Sequence, residues 1–137
     1  MAHAVAHCAT RGARLTPLRR RVLEILWRRH APAGAYAILG ELEREGYGGA
    51  PPTVYRALDF LLAQGLAHRI SSRNAFVACD RPGHPGCGQF LICAACGNAA
   101  ELHDGEVEQA IARSAAAQGF AAERHTIEIT GLCPRCR

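Results

Sequence analysis

Two short motifs in this 137-residue sequence have the spacing of a metal site: Cys93-Ala94-Ala95-Cys96 and Cys133-Pro134-Arg135-Cys136. Two CxxC knuckles can present four thiolates tetrahedrally around zinc at Zn–S distances of ~2.3 Å. The coordination sphere is then closed, with no position left for water, so such a site serves structure and not catalysis. A redox-active CxxC pair, the competing use, expects a different flanking context and an exposed thiol of low pKa. Once those four cysteines are spent, His68, Cys79, His84 and Glu101 remain as candidate ligands of a second ion. One thiolate, one carboxylate and two neutral imidazoles make a formally neutral zinc complex, which avoids burying net charge. Taken singly, a strand histidine is more often a half-buried polar residue and an isolated cysteine a small apolar filler, so both uses stay open here. Tyr55-Arg56 has a different chemistry, since an arginine can bind guanine O6 and N7 with two hydrogen bonds. No catalytic constellation and no phosphate-binding glycine loop is evident, so neither an enzyme nor a small-molecule substrate is expected.

The elements that must carry these residues follow from pattern. Thr16-Pro17 is a helix start, and Leu18, Val22, Ile25 and Leu26 form one apolar face behind it. A second helical pattern runs from about Ala35 to Glu45 with Ile38, Leu39 and Leu42 inward, and ends at Gly46. Thr53 offers a cap for a third helix with Val54, Leu58, Leu61 and Leu62 as its buried stripe, closed by Gly65. That helix would hold Tyr55 and Arg56 in its first turn, away from the apolar stripe, where a helix-turn-helix reads base edges. Strand-like runs at Leu66–Ile70 and Ala75–Cys79, joined by Ser71-Ser72-Arg73-Asn74, complete a winged helix-turn-helix.

Arg81–Gly88 holds two prolines and three glycines, which suits a hinge. Beyond it come a strand at Gln89–Cys93, a helix over about Asp104–Gln118 with Val107, Ile111 and Ala115 on one face, and an alternating strand at His125–Ile129. The fold class expected is therefore α+β: a winged helix over 1–80, a hinge over 81–88 and a small α/β domain over 89–137.

Charge separates the same two halves. Residues 1–80 hold eleven arginines against six acids, whereas 81–137 hold five against six. A basic half beside a near-neutral one fits nucleic-acid binding joined to regulation, and fits an ordinary solvated surface as well. No apolar run approaches the ~20 residues of a membrane span, and His3, His7 and Arg11 interrupt the N-terminal segment where a secretory signal needs an apolar core. The expected compartment is the cytoplasm, where thiols stay reduced and paired cysteines default to metal ligation over disulfides.

Thr16-Pro17, Pro51-Pro52-Thr53-Val54-Tyr55-Arg56-Ala57-Leu58-Asp59-Phe60-Leu61, Asn74-Ala75-Phe76-Val77-Ala78-Cys79, Phe90-Leu91-Ile92-Cys93-Ala94-Ala95-Cys96-Gly97 and Gly131-Leu132-Cys133-Pro134-Arg135-Cys136 together resemble the ferric uptake regulator family, in the form of its zinc uptake regulator branch. The likeness runs from about residue 8 onward. It implies a homodimer joined through the C-terminal domain, which binds operator DNA and represses zinc-uptake genes when zinc-loaded. Carried over residue by residue, it implies about two zinc ions per chain. A structural ion falls to Cys93, Cys96, Cys133 and Cys136, a regulatory ion to His68, Cys79, His84 and Glu101, and DNA contact to Tyr55 and Arg56.

The chain departs from iron-type members, which carry a His-rich stretch just before the first knuckle where this sequence reads Pro85-Gly86-Cys87-Gly88-Gln89-Phe90. That difference, with the soft thiolate of Cys79, speaks against an iron or peroxide sensor. Cys87, Glu108 and His125, with His103 nearby, form an incomplete third constellation, and Cys87 is an alternative to His84 as ligand. Two further rivals differ in what metal does. A zinc-ribbon interaction module would show no metal-dependent DNA binding, and a thiol oxidoreductase would lose activity when zinc occupies its CxxC.

Overall fold

Among the described residues, four helices and a hairpin make up the first of the two units into which the chain divides, Met1–Gly83 and His84–Arg137. The structure is a computed structural model that describes residues 1–82, 88–123 and 125–137. The helices of the first unit are α1 (Ala2–Thr10), α2 (Pro17–Arg28), α3 (Ala35–Arg44) and α4 (Pro51–Ala63). Thr16 starts α2 as its chemistry favours: its side chain accepts the Arg19 N–H at 3.4 Å, and Pro17 follows where no N–H is needed.

The core is built from the inward faces of these helices. Val22, Leu23, Ile25 and Leu26 of α2 meet Ile38, Leu39 and Leu42 of α3 and Val54, Ala57, Leu58 and Leu61 of α4, all buried. Each fully buried leucine or isoleucine contributes ~1.5 to 3 kcal/mol, whereas exposed ion pairs are worth ~0 to 1 kcal/mol. Packing therefore holds α3 on α2, and the pairs of Arg21 with Glu24 and Glu45, Arg28 with Glu45, and Arg29 with Glu41 add little. The Arg19 guanidinium lies 3.8 Å above the Phe60 ring and ties α2 to α4 from the solvent side.

The wing is an antiparallel hairpin of β1 (Ala67–Ile70) and β2 (Ala75–Ala78), in register Ala67↔Ala78 to Ile70↔Ala75. A single 3-10 turn, Ser71–Arg73, and Asn74 in the left-handed region at φ 47° reverse the chain. Ala33 and Phe76 exchange backbone hydrogen bonds at 2.9 Å and anchor the wing to the segment before α3.

One expectation for this unit needs correction, and one of its helices was not expected at all. Thr53 does not cap α4: the helix begins at Pro51, behind Ala50, because two prolines fit a first turn whose N–H groups have no helical acceptor. Helix α1 was not anticipated, since only the small residues Ala4 and Cys8 face inward and leave no apolar stripe to read.

In the second unit, β3 (Gln89–Cys93) is the middle strand of the order β4-β3-β5, with β4 (Ala99–Glu101) antiparallel and β5 (Ile127–Gly131) parallel to it. A parallel pair needs a crossover, which α5 (Gly105–Ala117) supplies. Asp104 caps α5 by accepting the N–H groups of Glu106 at 2.9 Å and Val107 at 3.3 Å. β4 escaped the sequence reading because Ala-Ala-Glu has little strand preference. The strand expected at His125–Ile129 starts two residues later, where the Ile127 N–H bonds the Gly88 carbonyl at 2.8 Å.

Gly88 stands at φ +105°, and a Cβ there would lie 2.8 Å from the His125 carbonyl oxygen. Gly88→Ala is accordingly expected to destabilise the protein by ~1 to 3 kcal/mol, the cost of a strained backbone position, seen as a lower denaturation midpoint. Among the described residues, no helix is long and apolar enough to cross a membrane.

Candidate metal centre and nucleic-acid interface

The parallel pairing of β3 with β5 sets Cys93 opposite Gly131, so the two knuckles leave the sheet side by side. Cys93 ends β3, Cys96 lies in the turn toward β4, and Cys133 and Cys136 follow β5. The turns are held by backbone bonds from Ala94 N–H to Gly131 O at 2.8 Å, Gly97 N–H to Cys93 O at 3.0 Å and Cys136 N–H to Cys133 O at 2.9 Å. All four Sγ atoms lie within 4.8 Å of one another, and Cys96 and Cys133 Sγ are 3.9 Å apart. A tetrahedron of Zn–S bonds has edges of roughly 3.8 Å, so the cluster has the size and donor set of a closed zinc site.

Protonation within the cluster is uneven. The N–H groups of Cys96 and Cys133 donate to Cys93 Sγ at 3.5 and 3.4 Å and pull its pKa down to about 5. Hydrogen bonding to Cys133 and then Cys93 pushes the Cys136 thiol up to about 12. Without a cation, one sulfur sheds its proton easily and another holds it, as expected of four thiols sharing one small space. A bound dication is what lets all four ionise together. The Cys96 N–H bond is local to the CxxC turn, whereas the Cys133 N–H bond was not legible in the spacing, because it depends on strand pairing that brings together residues 40 apart in sequence.

Of the second candidate set, two members lie on the first unit. His68 sits on β1 opposite Val77, and Cys79, just past β2, is the diagonal neighbour two residues on, on the same face of the hairpin. Its N–H bonds the Leu66 carbonyl at 2.9 Å, the side chain is buried, and ligand atoms of His68 and Cys79 lie within 4.8 Å. Glu101 ends β4 in the second unit opposite Phe90, and its carboxylate accepts the Gly88 N–H at 3.4 Å. His84 and Cys87 lie outside the described residues. His103 lies between β4 and α5, Glu108 on the first turns of α5 and His125 ahead of β5. Among the described residues, Glu108 and His125 join no cluster of three ligand atoms.

On α4, Val54, Ala57, Leu58 and Leu61 are buried, while Tyr55 is 42% exposed and Arg56 exposed on the other side. Because the helix starts at Pro51, they are its fifth and sixth residues, a turn deeper than expected. Among the described residues Arg56 has no carboxylate partner, so its guanidinium is available to an external acceptor.

Known proteins agree with this architecture. The sequence profile described as the ferric uptake regulator family matches residues 10–130. The zinc uptake regulation protein of Escherichia coli K12 is 40% identical over 99% of this chain and 80% of its own length. The crystal structure of holo XcZur superposes with a TM-score of 0.88 at 41% identity, covering 98% of this chain and 94% of that one. A zinc uptake regulator complexed with zinc and DNA gives 0.90 at 39% identity, covering 98% and 90%. The extent of these matches, over a winged helix and a four-cysteine α/β unit, shows that the chain belongs to the ferric uptake regulator family.

Proposed function

We propose that this protein is a zinc-responsive transcriptional repressor that binds palindromic operator DNA as a homodimer when zinc-loaded and controls zinc-uptake genes in the cytoplasm. The observation that carries the reading is the soft donor pair His68 and Cys79, within 4.8 Å on the wing of the unit that bears Arg56. A thiolate beside an imidazole selects zinc over harder ions, and its place on the wing couples metal to the DNA-reading unit. The resemblance to a zinc uptake regulator complexed with zinc and DNA supports the same assignment.

In this reading Cys93, Cys96, Cys133 and Cys136 hold a structural zinc, and His68, Cys79, His84 and Glu101 hold a regulatory one. The ligands on the wing would carry the effect of metal to the DNA-reading unit, and the two heads of a dimer would meet half-sites one helical turn, ~34 Å, apart. The homodimer is supported by apolar surface on the second unit. Leu91 and Ile129, paired across β3 and β5, are 43% and 47% exposed, Leu132 is 56% and Phe120 69% exposed, and no residue of α5 is buried. A unit whose buried apolar residues are Phe90, Ile92 and Cys93 among those described has a thin core, which a metal and a partner subunit would complete.

The two ligand sets should release metal differently. Purified protein is expected to hold about two zinc ions per chain, one removed by mild chelation and one only with unfolding, because a closed four-thiolate site couples metal to folding. Elemental analysis during graded chelation tests this, and a single uniform class of zinc would contradict it. At the DNA-reading end, Arg56→Ala is expected to cost ~1 to 3 kcal/mol on the cognate operator and relax preference at one base pair, with random-sequence binding nearly unchanged. Competition at fixed salt reads it, and equal weakening on all sequences would demote Arg56 to a phosphate contact.

A further inference from the structure

We infer that α1 caps the C-terminal end of the recognition helix of the same chain through side chains, with His7 and Arg11 as positioning residues for DNA reading by α4. The last carbonyls of a helix have no acceptor role inside it and must find donors elsewhere. At the end of α4, Phe60 O accepts the Gln64 N–H at 3.0 Å. Gly65, in the left-handed region at φ +70°, turns the chain so that its N–H reaches Leu62 O at 3.0 Å and the Leu66 N–H reaches Leu61 O at 2.9 Å. Two carbonyls are left, Ala63 O and Gln64 O, and they are taken by Arg11, at the C-cap of α1, and by His7 within it.

His7 Nε2 lies 2.7 Å from Gln64 O, and since a carbonyl only accepts, that nitrogen carries the proton and donates it. The Arg11 guanidinium donates to Ala63 O at 3.4 Å and, through Nε, to the Gln64 side-chain oxygen at 2.8 Å. The last turn of α4 has no basic residue of its own, so Arg11 is the cation at the negative end of that helix. Ala4 and Cys8, one turn apart on α1, are fully buried in the core cluster to which Leu58 and Leu61 of α4 also belong. Gly12 at φ +69° ends α1, with Ala13 N–H on Cys8 O at 2.9 Å, and keeps Arg11 at the contact.

Consequences run in both directions from the joint. Upstream, the rotation of α4 about its axis decides where Tyr55 and Arg56 point. Downstream, Gly65 leads into β1 and His68. The inference rests on the repressor reading, because positioning matters only if α4 reads DNA.

The test compares Arg11→Ala, Gln64→Ala and their combination, with His7→Gln and His7→Leu beside them, in zinc-saturated full-length protein at fixed salt. Gln64→Ala removes only the side-chain acceptor and leaves every backbone group, so folding is retained. Each of Arg11→Ala, Gln64→Ala and His7→Leu is expected to weaken operator binding about 2- to 10-fold, the range of one hydrogen bond, with random-sequence DNA bound as before. The double variant should be little worse than Arg11→Ala alone, and His7→Gln, whose amide still donates, should stay near the parent. Amide hydrogen exchange without DNA should quicken at Gln64, Gly65 and Leu66 in the weakened variants. Additive losses, or equal losses on random DNA with a salt slope lower by about one, would make Arg11 a phosphate contact and overturn the inference. Unchanged exchange at those amides would overturn it as well. Should the parent fail to discriminate operator at all, the repressor reading falls, and the cap is decided by amide exchange alone.

Discussion

Cys96→Ser is expected to cost the protein its tightly held zinc and, with it, the fold of the second unit. Cys96 is exposed, so serine removes no packing, and any loss of structure is a loss of ligation. Closed zinc sites in small peptides have apparent binding free energies of ~10 to 16 kcal/mol, comparable to the ~5 to 15 kcal/mol that stabilises a whole domain. The described core of this unit, chiefly Phe90 and Ile92 under β3, cannot replace that contribution. Zinc content should fall by about one per chain, far-ultraviolet circular dichroism should lose its strand and α5 signal, and dimerisation should fail in sedimentation. A Cys96→Ser protein with native spectra and full zinc would show that the four sulfurs are not a metal site.

Cys79→Ser is expected to have the opposite profile: a folded dimer that no longer responds to zinc. Serine changes the volume of this buried position little but removes the soft thiolate, while the four knuckle cysteines are untouched. The variant should keep about one zinc per chain and bind operator weakly at every free-zinc concentration. Coupling free energies in allosteric proteins run to ~1 to 3 kcal/mol, so the parent should tighten ~5- to 150-fold over the same titration. If Cys79 only fills the core, zinc content and zinc response stay at the parent's level with a modest loss of stability. An undiminished response removes Cys79 from the sensor site.

What could be read from sequence was what local chemistry decides. Thr16-Pro17 places the start of α2, and Gly46 and Gly65 close α3 and α4 with the positive φ that glycine permits. The CxxC spacing is equally local, and the four sulfurs do meet. What escaped depends on partners distant in the chain. Nothing in Ala99-Ala100-Glu101 favours a strand, and β4 exists because β3 offers an edge, pairing Phe90 with Glu101. The alternation at His125–Ile129 announces a strand, but the Gly88 carbonyl sets where pairing begins. In α1 only two small residues face inward, too short a signal for periodicity, and its role appears when Gln64 is found beneath His7 and Arg11. His68 and Cys79 were ambiguous one at a time, and the hairpin register turns them into a pair.

The central claim, that zinc controls DNA binding through ligands on the wing, is tested most directly by one titration. Operator affinity of the parent is measured against buffered free zinc at fixed ionic strength, with bound zinc counted at each point. The account predicts a sigmoidal or hyperbolic rise of ~5- to 150-fold that begins with one zinc per chain bound and saturates as the second fills. Affinity that stays level while the second zinc binds, or that rises with ferrous iron and not with zinc, would contradict it.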